Sequence, residues 1–140
     1  MELTGLHLGL EVEDLPRALR FWEPLFAAAG FAFQFGDGKT YAGYRNGSLG
    51  LVLAATKPRR VAREAPTGQE FVVSEHLGLH AARREDVDAV ASAMAAAGFQ
   101  PLFPAKEYPE FGPGFYAVTF DDPDHNVIEF AWRPPVPAAA

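Results

Sequence analysis

His7-Leu8-Gly9-Leu10 returns in the chain as His76-Leu77-Gly78-Leu79, and this recurrence decides the fold. The two segments lie 69 positions apart (76 − 7 = 69). A second pair, Ala27-Ala28-Ala29-Gly30-Phe31 and Ala95-Ala96-Ala97-Gly98-Phe99, lies 68 apart (95 − 27 = 68). The offsets differ by one residue, so both matches belong to a single alignment, the signature of an internal duplication.

Working outward, each copy has the same grammar. After the first HLGL, Ala18, Leu19, Trp22, Leu25, Phe26 and Ala29 recur at helical spacing. Asp14 suits the N-cap, Pro16 is tolerated in the first turn, and Gly30 supplies a left-handed stop. After the second HLGL, Val87, Val90, Ala91, Met94 and Ala97 repeat the stripe and Gly98 repeats the stop. Alternation predicts strands over Phe31–Phe35, Thr40–Arg45 and Leu49–Leu53. Between the last two, Asn46-Gly47 is a strong hairpin signal. In the second half, strands are predicted over Phe99–Phe103, Phe115–Phe120 and Asn126–Trp132, with a turn-rich loop over Pro104–Gly114. The expectation is an α+β fold of two βαβββ modules related by a pseudo-twofold axis, forming an incomplete barrel. One domain spans 1–133, with module one at 1–55, a connection at 56–70, module two at 71–133 and a flexible tail at 134–140.

The chain has 140 residues and no cysteine, which removes disulfides and thiolate chemistry together. Its formal charge of −6 disfavours the phosphate backbone, so nucleic acid is not an expected partner. No apolar run is long enough to cross a membrane, and the first residues do not read as a signal peptide, so the expected location is cytoplasmic. Lys57, Arg59, Arg60 and Arg63 form a local basic cluster, read either as a solvated loop or as a lid that meets an anionic substrate.

Candidate chemistry starts from the duplicated histidines. A strand histidine among apolar neighbours is commonly an ordinary core or surface residue. Two at equivalent places in duplicated modules are related by the pseudo-twofold axis, however, and their imidazoles can converge. Glu129, between apolar neighbours in Asn126-Val127-Ile128-Glu129-Phe130, is the candidate oxygen ligand. Its alternatives are a solvated sheet face or a salt bridge to arginine. A buried carboxylate needs a partner or a metal. His7, His76 and Glu129 together would form a facial triad with open positions for a divalent metal: iron, manganese, nickel or zinc. His80 shares the strand face of His76 and is a candidate acid or base. Tyr116 and Tyr108 are candidate O–H donors or pocket contacts.

At these residues the chain resembles the vicinal oxygen chelate superfamily, which includes glyoxalase I, methylmalonyl-CoA epimerase, extradiol dioxygenases and the fosfomycin and bleomycin resistance proteins. Three segments carry the resemblance. They are Leu6-His7-Leu8-Gly9-Leu10-Glu11-Val12-Glu13-Asp14-Leu15 with Phe21-Trp22, then Glu75-His76-Leu77-Gly78-Leu79, then Asp122-Pro123-Asp124-His125-Asn126-Val127-Ile128-Glu129-Phe130. The last is similar to the family's DPDGxxIEL signature, with His125 where glycine is usual, a position expected to need a left-handed backbone. The resemblance implies metal ligation by His7, His76 and Glu129. It places the fourth ligand position of glyoxalase I at Leu51, which cannot bind metal, and a tyrosine position of the dioxygenases at Thr119. It implies a metal-dependent enzyme acting on a small molecule that chelates the ion through vicinal oxygens, by dioxygenase-like or lyase- and isomerase-like chemistry. The alternative within the same fold is a metal-free, drug-sequestering protein whose cleft is lined by Phe33, Phe35, Tyr41, Tyr44, Phe115 and Tyr116. Family members close their sites within one chain or across a swapped homodimer.

Overall fold

The computed structural model describes residues 1–55 and 76–135. The basic cluster at 57–63, the connection at 56–70 and most of the tail lie outside the described residues.

Each half is a βαβββ unit. The first runs β1 (Leu6–Val12), α1 (Leu15–Ala28), β2 (Ala32–Gly36), β3 (Tyr41–Asn46) and β4 (Leu49–Ala55). The second runs β5 (Leu77–His80), α2 (Arg84–Ala96), β6 (Phe103–Glu107), β7 (Tyr116–Asp121) and β8 (Val127–Trp132), with a short 3₁₀ turn at Pro109–Phe111. Two four-stranded sheets result, ordered β1-β4-β3-β2 and β5-β8-β7-β6. In each, the first strand pairs in parallel with the last, and the other pairs are antiparallel. The sheets stay open, as the incomplete barrel requires.

The helix ends follow from sequence. Asp14 is extended and accepts the Arg17 backbone N–H at 2.7 Å. At the other end Gly30 takes φ 74°, and the Phe31 N–H returns to the Phe26 carbonyl at 2.8 Å. Gly98 repeats this with φ 89° and a Phe99 N–H to Met94 carbonyl bond of 2.9 Å. The matching stops are why the Ala-Ala-Ala-Gly-Phe repeat marks both helices. In α2 the N-cap is Arg83, whose side chain does not cap but pairs with Asp86.

One strand lies elsewhere than expected. β6 occupies Phe103–Glu107: it starts at the last residue of the expected strand and runs through Pro104–Glu107 of the stretch read as a loop, and Phe99–Pro101 leads into it. Pro101 and Pro104 flank the start of this edge strand, where a missing N–H is tolerated, and the ladder with β7 is irregular between Phe103 and Lys106.

α1 and α2 touch, and residues from both modules join in one core. The Phe21 ring meets Phe99 at 5.1 Å and Phe120 at 6.5 Å, both edge-on. At the centre Trp22 is fully buried and donates its indole N–H to Asp122 at 2.9 Å. The buried Asp122 carboxylate also accepts the backbone N–H groups of Asp124 and Asn126 and the Asn126 amide. The turn built this way takes His125 through φ 62°, the left-handed conformation expected where glycine is usual. It also ties module two to module one. Asn126 Nδ2 donates to the Glu11 carbonyl, and Asp124 Oδ1 accepts the Glu13 N–H.

Candidate functional site

Helices and core cover one face of each sheet, and the other faces carry the candidate ligands. In β1, Leu8, Leu10 and Val12 pack toward the core, so alternation places His7, Gly9 and Glu11 on the open face. Pairing extends this face into rows. His7 pairs with Gly50, which pairs with Arg45. Gly9 continues through Val52 and Gly43 to Phe35, and Glu11 through Ala54 to Tyr41. Three glycines, Gly9, Gly43 and Gly50, lie in these rows. A Cβ on Gly9 would meet open space, whereas one on Gly43 would lie 2.4 Å from the Phe35 ring, which rests on that glycine. Phe35 and Tyr41 are exposed on this face.

Sheet two has the equivalent rows. Gly78 pairs with Glu129, then Thr119 and Phe103; His80 pairs with Ala131, then Ala117 and Lys106. His76, two residues before Gly78, shares the face. His76 Nε2 stands 3.9 Å from Glu129 Oε1. A Cβ on Gly78 would stand 3.8 Å from that oxygen, an ordinary van der Waals contact. Glu129 is half-buried. Beside it, Phe115, Ala117 and Ala131 form a small second core with Tyr108 against it. The Tyr108 phenol donates to the Pro104 carbonyl, and burial, then the charges of Glu110 and Glu129, push its pKa up.

The registers correct one correspondence. Gly9 is the counterpart of Gly78, and Gly78 faces Glu129 while Gly9 faces Val52. The module-one counterpart of Glu129 is thus Val52 and not Leu51. Leu51 is buried on the opposite face, beside Leu8 and Tyr44. The physical cause is turn length. β3 and β4 are joined by Gly47-Ser48, β7 and β8 by Asp122–Asn126, and aligning the turns slips the strand by one residue, which exchanges its faces.

Two other candidates also stand apart from the carboxylate. Tyr116 pairs with Trp132, on the helix side of the sheet. It is buried there, and its phenol donates to Asp88 of α2 at 2.5 Å under the Arg84 guanidinium. The Asp88 hydrogen bond, with burial and the Asp88 charge behind it, raises its pKa. Tyr116 therefore offers nothing to the open face. His80 is on the correct face but four residues along the strand from His76, about 13 Å at the usual rise. Of the aromatic set, Tyr44 stacks on Phe26 at 4.2 Å on the core side and Phe33, though exposed, pairs with it, which leaves Phe35 and Tyr41 as the exposed aromatics of the open face.

His76 and Glu129 are brought together, and His7 is not. Among the described residues, no three His, Cys, Asp or Glu side chains gather as a metal-holding group. His7 borders a separate hollow with Thr4, Gly5, Arg45 and Ser48. Arg45, unremarked in the sequence, is set beside His7 by strand pairing across Gly50.

Residues 6–130 match the family described as the Glyoxalase/Bleomycin resistance protein/Dioxygenase superfamily. The chain belongs to this superfamily. A Bacillus subtilis (strain 168) relative, the uncharacterized protein YqjT, is 26% identical over 123 residues, covering 88% of this chain and 94% of its own. Among solved structures, a glyoxalase/bleomycin resistance protein from Albidiferax ferrireducens T118 is similar with a TM-score of 0.64 at 22% identity, over 91% of this chain and 97% of that one. A lactoylglutathione lyase from Agrobacterium tumefaciens matches at 0.63 and 20%, over 91% of each chain. At such identities the structural likenesses establish the fold. No helix among the described residues is long and apolar enough to cross a membrane.

Proposed function

We propose that this superfamily member is a metal-dependent enzyme acting on a small substrate with two neighbouring oxygens, and that its site is completed across a homodimer. The observation that carries the reading is the His76–Glu129 pair on an open sheet face, 3.9 Å apart. That distance exceeds a hydrogen bond. It fits two ligands of one ion, each bonded at about 2.1 Å and so no more than about 4.2 Å apart. The donor set, one imidazole and one carboxylate, suits a borderline divalent ion. His7 stands on the matching face of sheet one, and a second copy laid face to face would offer its His7 to this pair.

In that arrangement His76, Glu129 and the partner's His7 would hold the ion, which when bound supplies a Lewis acid for the substrate's oxygens. The chain's own residues do the rest. Gly9 leaves open floor beside His7 on which a flat substrate can lie, and Phe35, resting on Gly43, and Tyr41 wall it with apolar surface. Arg45 places a fixed positive charge on the same face, where it steadies an anionic oxygen. Val52 and Thr119 present no ionisable group, so at most three side chains ligate and open positions face the substrate.

Metal analysis of protein purified without chelator tests the reading. The expected result is a stoichiometric divalent ion among iron, manganese, nickel and zinc, lost in His76→Ala and Glu129→Gln. Wild-type protein that stays metal-free after incubation with all four would overturn it in favour of metal-free binding.

A further inference from the structure

The duplication makes two seams between the modules, and among the described residues only one is sealed. The sealed seam joins the β7–β8 turn to the end of β1. Phe21 packs there on Phe99, the Trp22 indole donates to Asp122, and Asn126 donates to the Glu11 carbonyl. Adding the helical offset of 68 gives the counterparts at the other seam: Phe21 becomes Ala89 and Trp22 becomes Val90. Phe99 becomes Phe31, which faces no ring from α2, and the five-residue turn becomes the tight Asn46–Ser48 turn. Asn46 turns its amide back onto the Ala29 carbonyl of its own module.

The missing bulk is a cavity. It holds ≈ 370 Å³ between the C-terminal end of α1 and the first turns of α2, and Phe31, Asn46, His80, Asp86, Ala89 and Val90 are among its lining residues. That volume falls at the small end of ligand pockets. Its lining combines an aromatic ring and aliphatic walls with the half-exposed Asp86 carboxylate and the exposed His80.

We propose that this open seam is a ligand site, separate from the sheet-face site, for a small, flat, largely apolar molecule of about indole size bearing an N–H donor. The molecule itself supplies the template. At the sealed seam the equivalent space holds an indole whose N–H meets a carboxylate; the open seam lacks the indole, and a carboxylate from a different position, Asp86 of α2, borders the gap. A bound ring takes the place of the absent Trp and Phe, lies against Phe31 and donates to a remaining lone pair of Asp86, whose two oxygens also accept from Arg83 at 3.2 and 2.6 Å. His80 ends the strand that begins beside His76, so the occupant braces the element carrying the candidate ligand. The proposal does not depend on metal binding.

Indole is the probe, added to ¹⁵N-labelled full-length protein. Saturable shifts are expected at the amides of Ala81, Ala82, Ala89 and Val90, together with a rise in Tm, because a ligand that binds only the folded state stabilises it. Val90→Trp fills the seam from within, and Ala89→Phe is the milder variant at the cavity edge. Loss of the indole shifts in either folded variant, with His76→Ala still binding, supports the site. Absence of saturation, shifts that map to the Phe35–Tyr41 face, or undiminished binding in both variants would overturn it.

Discussion

Trp22→Phe is the substitution through which the joining of the two modules is best measured. The indole N–H is buried and donates to the Asp122 carboxylate at 2.9 Å, across 100 residues of sequence. A hydrogen bond to a charged acceptor is worth about 1.5–3 kcal/mol. Phenylalanine also leaves a void of some tens of Å³, about 1 kcal/mol at 24 cal/mol per Å³. The sum is about 3 kcal/mol. For 140 residues, an unfolding entropy of about 2.1 cal/mol/K per residue gives about 0.29 kcal/mol/K, so Tm should fall by roughly 10 °C. Urea denaturation followed by circular dichroism reads the change as a shift in midpoint at unchanged slope. A cycle with Asp122→Ala isolates the contact, with an expected coupling of about 2 kcal/mol. Destabilisation below about 0.5 kcal/mol, or additive single effects, would refute the idea that this bond joins the modules.

Two further predictions concern local structure. His125 sits at φ 62°, where a side chain is strained, so His125→Gly should stabilise by about 0.5–1 kcal/mol, read as a higher urea midpoint; an unchanged or lower midpoint would contradict the strain. Tyr116 has a raised phenol pKa, so its contribution is intact below the unfolded value near 10 and fades as pH climbs through the higher folded value. Tyr116→Phe should remove a late-titrating phenol from the ultraviolet pH titration while leaving metal content unchanged, since its ring lies on the helix side of the sheet.

The duplication was legible because it left the same residues in both copies. Gly30 and Gly98 stop both helices by one geometry, and the HLGL strands occupy equivalent edges. The faces of β7 were not legible. Tyr116–Phe120 is buried throughout, because α2 covers one face and the small core with Tyr108 lies on the other, so alternation could not say that Tyr116 points away from Glu129. The slip from Val52 to Leu51 came from turns of unequal length. The Trp22–Asp122 contact left no local pattern, since its partners meet only when the modules pack. Of the site, strand period put Glu129 on one face of the last strand and the family resemblance implied its partnership with His76, while Arg45 emerged only through the pairing of three strands.

Mixing two inactive variants tests the central claim most directly. If His7 of one copy completes the His76–Glu129 pair of the other, His7→Ala and His76→Ala should each lose the metal. Co-refolded in equal amounts, they should form heterodimers in which one of two sites is whole, restoring about a quarter of the wild-type metal content under random pairing in a twofold dimer. Metal bound to His7→Ala alone, or no recovery in a mixture verified to contain heterodimers, would contradict a site built from two copies.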